Sequence, residues 1–245
     1  MKNLYIIMSL LVFSSCYKEE DYKQTNFKES DVITSVTSSK SVMSANNRDE
    51  CMIQVILPND AEMSTMVELT TTKGVFSGTD NKSTLSVPVS YKVVDGSVKI
   101  VAQATLVAGL KTGDAIVSAK VGGFSSTVTI ALTRNYPISL SVIPDSVSIA
   151  ANPMEERLIQ VSAGALSGGV SDGQKIVIRA IDPITETDLG VFRTGNEKFT
   201  SNQSVTFNYA LMPDLIHLGE IWIIATTEAD TPSATVSDTI SIYSY

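Results

Sequence analysis

Apolar and polar residues alternate in short runs along most of this chain, with turn-forming residues between the runs. Met52-Ile53-Gln54-Val55-Ile56-Leu57 ends at Pro58-Asn59-Asp60, and Met66 to Thr70 leads to Lys73-Gly74. Leu85 to Tyr91 alternates well, but Pro88 cannot donate to a ladder, so this run is expected to be an edge or bulged strand. Val98 to Ala104 follows the turn Asp95-Gly96. Ala115 to Val121 and Thr127 to Leu132 flank Gly122-Gly123, which predicts a hairpin. Side chains alternate with a period of two, so Ala115, Val117, Ala119 and Val121 should share the core face with Val128, Ile130 and Leu132. Arg134 to Pro137 reads as a joint. Strand signals then restart at Ile138 to Val142, with a short continuation at Val147 to Ile149. They recur at Leu158 to Val161, Lys175 to Ile181, Ser204 to Leu211, Glu220 to Thr227 and Thr235 to Tyr243. No helical period of useful length is present; Pro153 to Arg157 offers one turn at most. The pattern predicts an all-β protein made of two tandem β-sandwiches.

The N-terminus breaks this pattern. Leu4 to Phe13 is an apolar run of about ten residues, which is too short to span a bilayer. Lys2 precedes it and the small residues Ser14, Ser15 and Cys16 close it, which are the parts of a secretory signal. A plain signal cut near Ser15 would leave Cys16 incidental. Phe13-Ser14-Ser15-Cys16 resembles a bacterial lipobox of the relaxed, Bacteroidetes type, with Phe13 in place of the usual leucine. The resemblance implies cleavage before Cys16, acylation of its sulfur and new amino terminus, and an outer-membrane lipid anchor. Several acyl chains anchor stably where one binds marginally. Lys18-Glu19-Glu20 looks like the surface-export signal of the same lipoproteins, which implies an outward-facing protein; otherwise it is a solvated spacer. Tyr17 to Ser30 is polar and aperiodic, as a tether would be. The expected partition is residues 1–15 signal, 16–30 tether, 31–134 an immunoglobulin-like sandwich and 135–245 a second sandwich.

Composition narrows the partners. The formal charge is −8, and no basic stripe suits a nucleic acid. With Cys16 lipidated, Cys51 has no intramolecular partner, so no disulfide framework is expected. Beside Met52 to Leu57, Cys51 reads as a small buried hydrophobe.

The first half also resembles a family. Val67 to Phe76, Val98 to Leu106, and Gly113-Asp114-Ala115 through Gly122-Gly123 are similar to bacterial immunoglobulin-like domains of invasin and intimin type. The resemblance covers Val32 to Thr133; Pro88 and the short Asp95-Gly96 turn depart from it. It implies an adhesion or binding role. The second half is immunoglobulin-like by strand count alone.

Catalytic chemistry is not visible. His217 is the sole histidine, so a Ser-His-Asp triad or a His-containing metal site would have to use it, and it lies in a loop leading into a strand. Glu155-Glu156, Asp182 with Glu186 and Asp188, and Glu228 with Asp230 lack EF-hand spacing and fall in predicted turns. No catalytic residue, metal site or cofactor is assigned. In Glu220 to Ala225 both alternating faces are apolar, which suggests a central strand covered on both sides. Trp222 there either fills the core or offers a platform to a sugar or an interface. Tyr243 and Tyr245 extend that surface or close a sheet edge. The expectation is a non-enzymatic, lipid-anchored surface module for adhesion or ligand binding, its partner a glycan or a host or matrix protein, with Trp222, Tyr243 and Tyr245 as candidate contacts. A glycan-binding accessory of polysaccharide uptake and a structural spacer are the alternatives.

Overall fold

The computed structural model describes residues 28, 31–78, 80, 82–152, 154–212, 217–229 and 234–245. Within them no α-helix forms. The first ten strands are β1 (Ser35–Ser38), β2 (Val42–Ser44), β3 (Glu50–Leu57), β4 (Met66–Thr71), β5 (Val75–Phe76), β6 (Thr84–Pro88), β7 (Ser90–Val94), β8 (Ser97–Val107), β9 (Gly113–Val121) and β10 (Phe124–Thr133). They make two sheets, β1-β3-β8-β5 with β7 also on β8, and β2-β10-β9-β4-β6. The remaining strands are β11 (Ser139–Pro144), β12 (Ser148–Ile149), β13 (Glu156–Gly164), β14 (Lys175–Ile181), β15 (Val191–Phe192), β16 (Glu197–Phe199), β17 (Ser204–Ala210), β18 (Gly219–Glu228) and β19 (Thr235–Ser244). They make two further sheets, β11-β13-β17-β15 and β12-β19-β18-β14-β16. Each pair of sheets closes over its own apolar cluster. The chain is two β-sandwiches in tandem.

The hairpin at Gly122-Gly123 forms with Val121 opposite Phe124. Gly122 takes φ +57°, the first-position requirement of a type II′ turn whose twist matches the strands. Ala115, Val117, Ala119 and Ile130 are fully buried, while Val121 and Val128 pack partly buried at the core margin. Cys51 is buried in β3, and desolvation pushes its thiol pKa up.

Two expectations need correction. Leu85 to Tyr91 is not one strand. β6 pairs with β4 and β7 pairs with β8, so the chain changes sheet at buried Val89, just after Pro88 interrupts the ladder. Val147 to Ile149 does not continue β11 either: β12 joins the opposite sheet, parallel to β19. The first sandwich repeats this device, with β1 in one sheet and β2 parallel to β10 in the other. Both sandwiches therefore open with a strand split between their layers, a repeat too short to leave a periodic signal in the sequence.

The sandwiches meet end to end. Ser171, fully buried, donates from Oγ to Ala45 O at 2.7 Å and accepts from Asn135 N at 2.8 Å. Gly169 N donates to Asn46 O at 2.6 Å, and Asp172 N to Leu110 O at 2.9 Å. Asn135 Nδ2 donates to Ser167 O at 3.1 Å and Gly169 O at 2.8 Å. Arg134 Nη1 donates to Gly173 O at 3.2 Å. Ser171 and Gly169 are buried, and their polar groups, withdrawn from water, need these partners. The contact thus specifies one arrangement.

Strand direction gives the molecule two ends. Thr34 N donates to Ile56 O at 2.9 Å, so the chain enters the first sandwich at the end remote from Ala45 and Leu110. In the second sandwich β14 leaves the joint at Lys175 and finishes at Ile181, opposite Trp222, while Gly219 pairs with Ser244. Trp222, Tyr243 and the Asp182 turn therefore lie towards the far end.

Candidate functional site

β18 and β19 form an antiparallel pair in which Ile221, Ile223 and Ala225 point inward and are fully buried. Strand alternation then turns Glu220, Trp222, Ile224 and Thr226 outward. On that outer face Trp222 is 38% exposed. The expectation of a strand covered on both sides is overturned. Trp222 and Ile224 made the outer face look apolar, but Glu220 and Thr226 flank that pair, and opposite Ile224 stands Thr239.

The cross-strand register builds a site. Glu220 faces Tyr243 and Trp222 faces Ser241. Glu220 Oε1 accepts from Trp222 Nε1 at 3.0 Å and from Ser241 Oγ at 2.5 Å. The indole is thus tied by its edge nitrogen, which leaves its ring faces free for contact. Hydrogen bonds from Ser241, then from Trp222, hold the Glu220 carboxyl below the ordinary Glu value. Tyr243 is 54% exposed and Tyr245 69%. They continue the same face along β19, with Tyr243 N donating to Val147 O at 2.8 Å.

The rim beside this face is built by a turn. Asp182 Oδ1 accepts from Ile184 N at 2.7 Å and Thr185 N at 3.1 Å. Those backbone donors lower its pKa. His217 Nε2 lies 3.0 Å from Glu220 O, and its Nδ1 lies 3.8 Å from Asp182 Oδ2. Because a carbonyl only accepts, Nε2 carries a proton and donates it to Glu220 O. Ile184, Leu218 and Met154 stand out from this end, 90%, 68% and 83% exposed.

Three of the other candidate carboxylates are ion-paired. Glu155 pairs with Arg157 and accepts from Ala150 N. Glu156, which opens β13 rather than lying in a turn, pairs with Arg193. Asp188 pairs with Arg179. Among the described residues the carboxyls with resolved shifts, Asp49, Asp182 and Glu220, are all lowered.

Cys16, Lys18, Glu19 and Glu20 lie outside the described residues. Of the other candidates, the fold brings Trp222 and Tyr243 onto one face and sets Tyr245 beyond them. Sequence reasoning missed Glu220 and Ser241 as the brace. The spacings Glu220-x-Trp222 and Ser241-x-Tyr243 held the signal, but only a known register joins them.

No protein-family model matches the chain, and no curated protein matches it in sequence. Solved structures do match. The adhesin InvE of Yersinia pseudotuberculosis superposes with a TM-score of 0.52 at 18% identity, over 88% of this chain and 61% of that one. Invasin, a bacterial integrin-binding protein, gives a TM-score of 0.51 at 15% identity, over 85% of this chain and 38% of that one. The chain spans less than two thirds of either neighbour. The likeness is one of fold, a tandem immunoglobulin-like β-sandwich, and it extends through both sandwiches rather than the first alone.

Proposed function

We propose that this chain is a non-enzymatic adhesion module, held to the outer membrane by lipid on Cys16 and facing outward. On this reading residues 1–15 are removed, 16–30 form the tether, and the sandwiches at 31–134 and 135–245 carry the binding face to the far end. Lys18, Glu19 and Glu20 direct export to the surface. The observation that carries the proposal is the braced, exposed Trp222 beside Tyr243 and Tyr245, at the end remote from the tether. Exposed aromatics anchored at one edge make strong contact residues, because little side-chain freedom is left to lose. The apolar rim of Ile184, Leu218 and Met154 favours a protein ligand. Fold analogy supports the same class, since the neighbours are named as an adhesin and an integrin-binding protein. Trp222 with a fixed carboxylate also suits a sugar ring, and this favours a glycan as the second reading.

The test is binding of the chain from residue 17 onward to matrix proteins, host-cell ectodomains and a glycan array. W222A should weaken the bound ligand by 2 kcal/mol or more, roughly 30-fold, as interface anchors do, with an unchanged melting temperature. Undiminished binding by W222A would remove this face from the proposal, and reaction on glycans alone would select the second reading. Anchoring is tested separately. Mass spectrometry of the native N-terminus should find acylated Cys16, and C16A should release the protein from the membrane fraction. A native N-terminus that starts elsewhere, without lipid, would sink the anchor.

A further inference from the structure

The β7–β8 hairpin carries chemistry that the adhesion reading does not use. Its tip is Asp95-Gly96, with Val94 opposite Ser97. β3 pairs with β8 only from Ile100 onward, where Leu57 is its partner. Residues 92–99 therefore run past the strand beside them. On one face Val93 stands directly opposite Val98, with Tyr91 two residues behind, and the three are 74%, 62% and 63% exposed. On the other face Lys92 stands opposite Lys99. Like charges directly across a ladder are unfavourable, and no described ion pair includes either lysine. The tip combines a tyrosine and two valines on one side with two cations on the other, the side-chain set of a lipid–water boundary.

Its position points the same way. Asp31, Val32, Leu57, Pro58 and Val121 line one groove at the end where the chain enters the first sandwich. Leu57 is the partner of Ile100 at the root of the hairpin, so the tip projects from that end. Fifteen residues lead from Cys16 to Asp31. As a coil such a segment averages about 20 Å end to end, and fully extended it reaches about 50 Å. A lipid on Cys16 would keep this tip within touching distance of the bilayer.

We propose that the β7–β8 tip is a second membrane contact, seating on the lipid surface that holds the Cys16 acyl chains. Tyr91, Val93 and Val98 enter the interfacial layer, and Lys92 and Lys99 meet headgroup phosphates. Asp95 at the turn offsets one of the two positive charges, so the apolar trio carries most of the attachment. This inference rests on the lipid-anchor reading. It gives the tether a second fixed point and turns the Trp222 end away from the membrane.

The chain beginning at Cys16 is coupled through that thiol to a maleimide phospholipid in vesicles of phosphatidylethanolamine and phosphatidylglycerol. Cys51 is 3% exposed and is spared. Trp222 is the sole tryptophan and reports on the far end. The W222F/V98W double variant moves the reporter to the tip. With brominated lipids V98W emission should fall to about half, as for a group in the headgroup–acyl boundary, while native Trp222 emission stays unchanged. Adding Y91S/V93S should abolish the quenching, and adding K92E/K99E instead should weaken it. An unquenched V98W in a protein of unaltered melting temperature would overturn the proposal. So would equal quenching of Trp222, which would mean that the molecule lies flat. Because Cys16 is coupled chemically, the result does not depend on whether cells acylate it, which the N-terminal mass spectrum decides.

Discussion

F207A should destabilise the second sandwich by about 3–5 kcal/mol, the usual cost of deleting a buried phenyl ring. Phe207 is fully buried on β17, opposite Ile159 of β13. The edge-on ring of Phe192 lies 6.0 Å away and Lys198 Nζ lies 5.2 Å from its centroid. No neighbouring strand can collapse into the void, because β13 and β15 are both fixed to β17 by ladder hydrogen bonds. For a domain of this size the loss lowers the melting temperature by roughly 10–25 °C. The first sandwich has its own core, so calorimetry should resolve an early transition for the second sandwich and a nearly unchanged one for the first. A single transition at the wild-type temperature would show that Phe207 does not hold this core.

G168A should release the joint while leaving both cores intact. Gly168 holds φ +66°, and a Cβ there would stand 2.4 Å from Asn46 O. That oxygen accepts from Gly169 N. Alanine must therefore strain the left-handed backbone and push away the acceptor that ties the two sandwiches together. The combined cost is roughly 2–4 kcal/mol. Small-angle scattering should show a broader distribution of sandwich separations, with the two thermal transitions drawn apart. Unchanged scattering would mean that the bonds of Ser171, Asn135, Asp172 and Arg134 fix the arrangement without the Gly169–Asn46 contact. A loosened joint would also blur the direction in which the Trp222 face is presented.

Local pattern was enough for most of the ladder. The run Ala115 to Val121, the glycine turn and Thr127 to Leu132 fold as expected, because alternation, β-branched content and turn chemistry all agree there. The shortest strands were not legible. β5 and β15 have two residues each, and β12, read as a short continuation of β11, joins the other sheet; such pieces form only because a neighbouring edge is already in place. Met66 to Thr70 and Leu85 to Tyr91 read as apolar alternation, yet nothing local says that the chain crosses to the other layer after Pro88 and so breaks the second run in two. The joint was visible as a pause at Arg134 to Pro137, but its partners are remote: Ser171 and Ala45 are separated by 126 positions. The candidate site divides in the same way. Trp222, Tyr243 and Tyr245 stood out by type, whereas Glu220 and Ser241 are ordinary residues until the β18–β19 register sets them opposite one another.

The sequence by itself determined an all-β chain of alternating strands, the absence of any local catalytic motif, and an N-terminal pattern that reads as export and lipidation. Those properties are local, written in side-chain period, turn residues and the order of a signal segment. The tertiary structure alone decided which face of β18 is covered, and so whether Trp222 is core or surface. It also decided that Trp222, Tyr243 and Tyr245 gather towards one end while Tyr91, Val93 and Val98 project from the other. Burial and direction depend on which layer lies against a strand, and that is set by pairings across tens of residues that no local window contains.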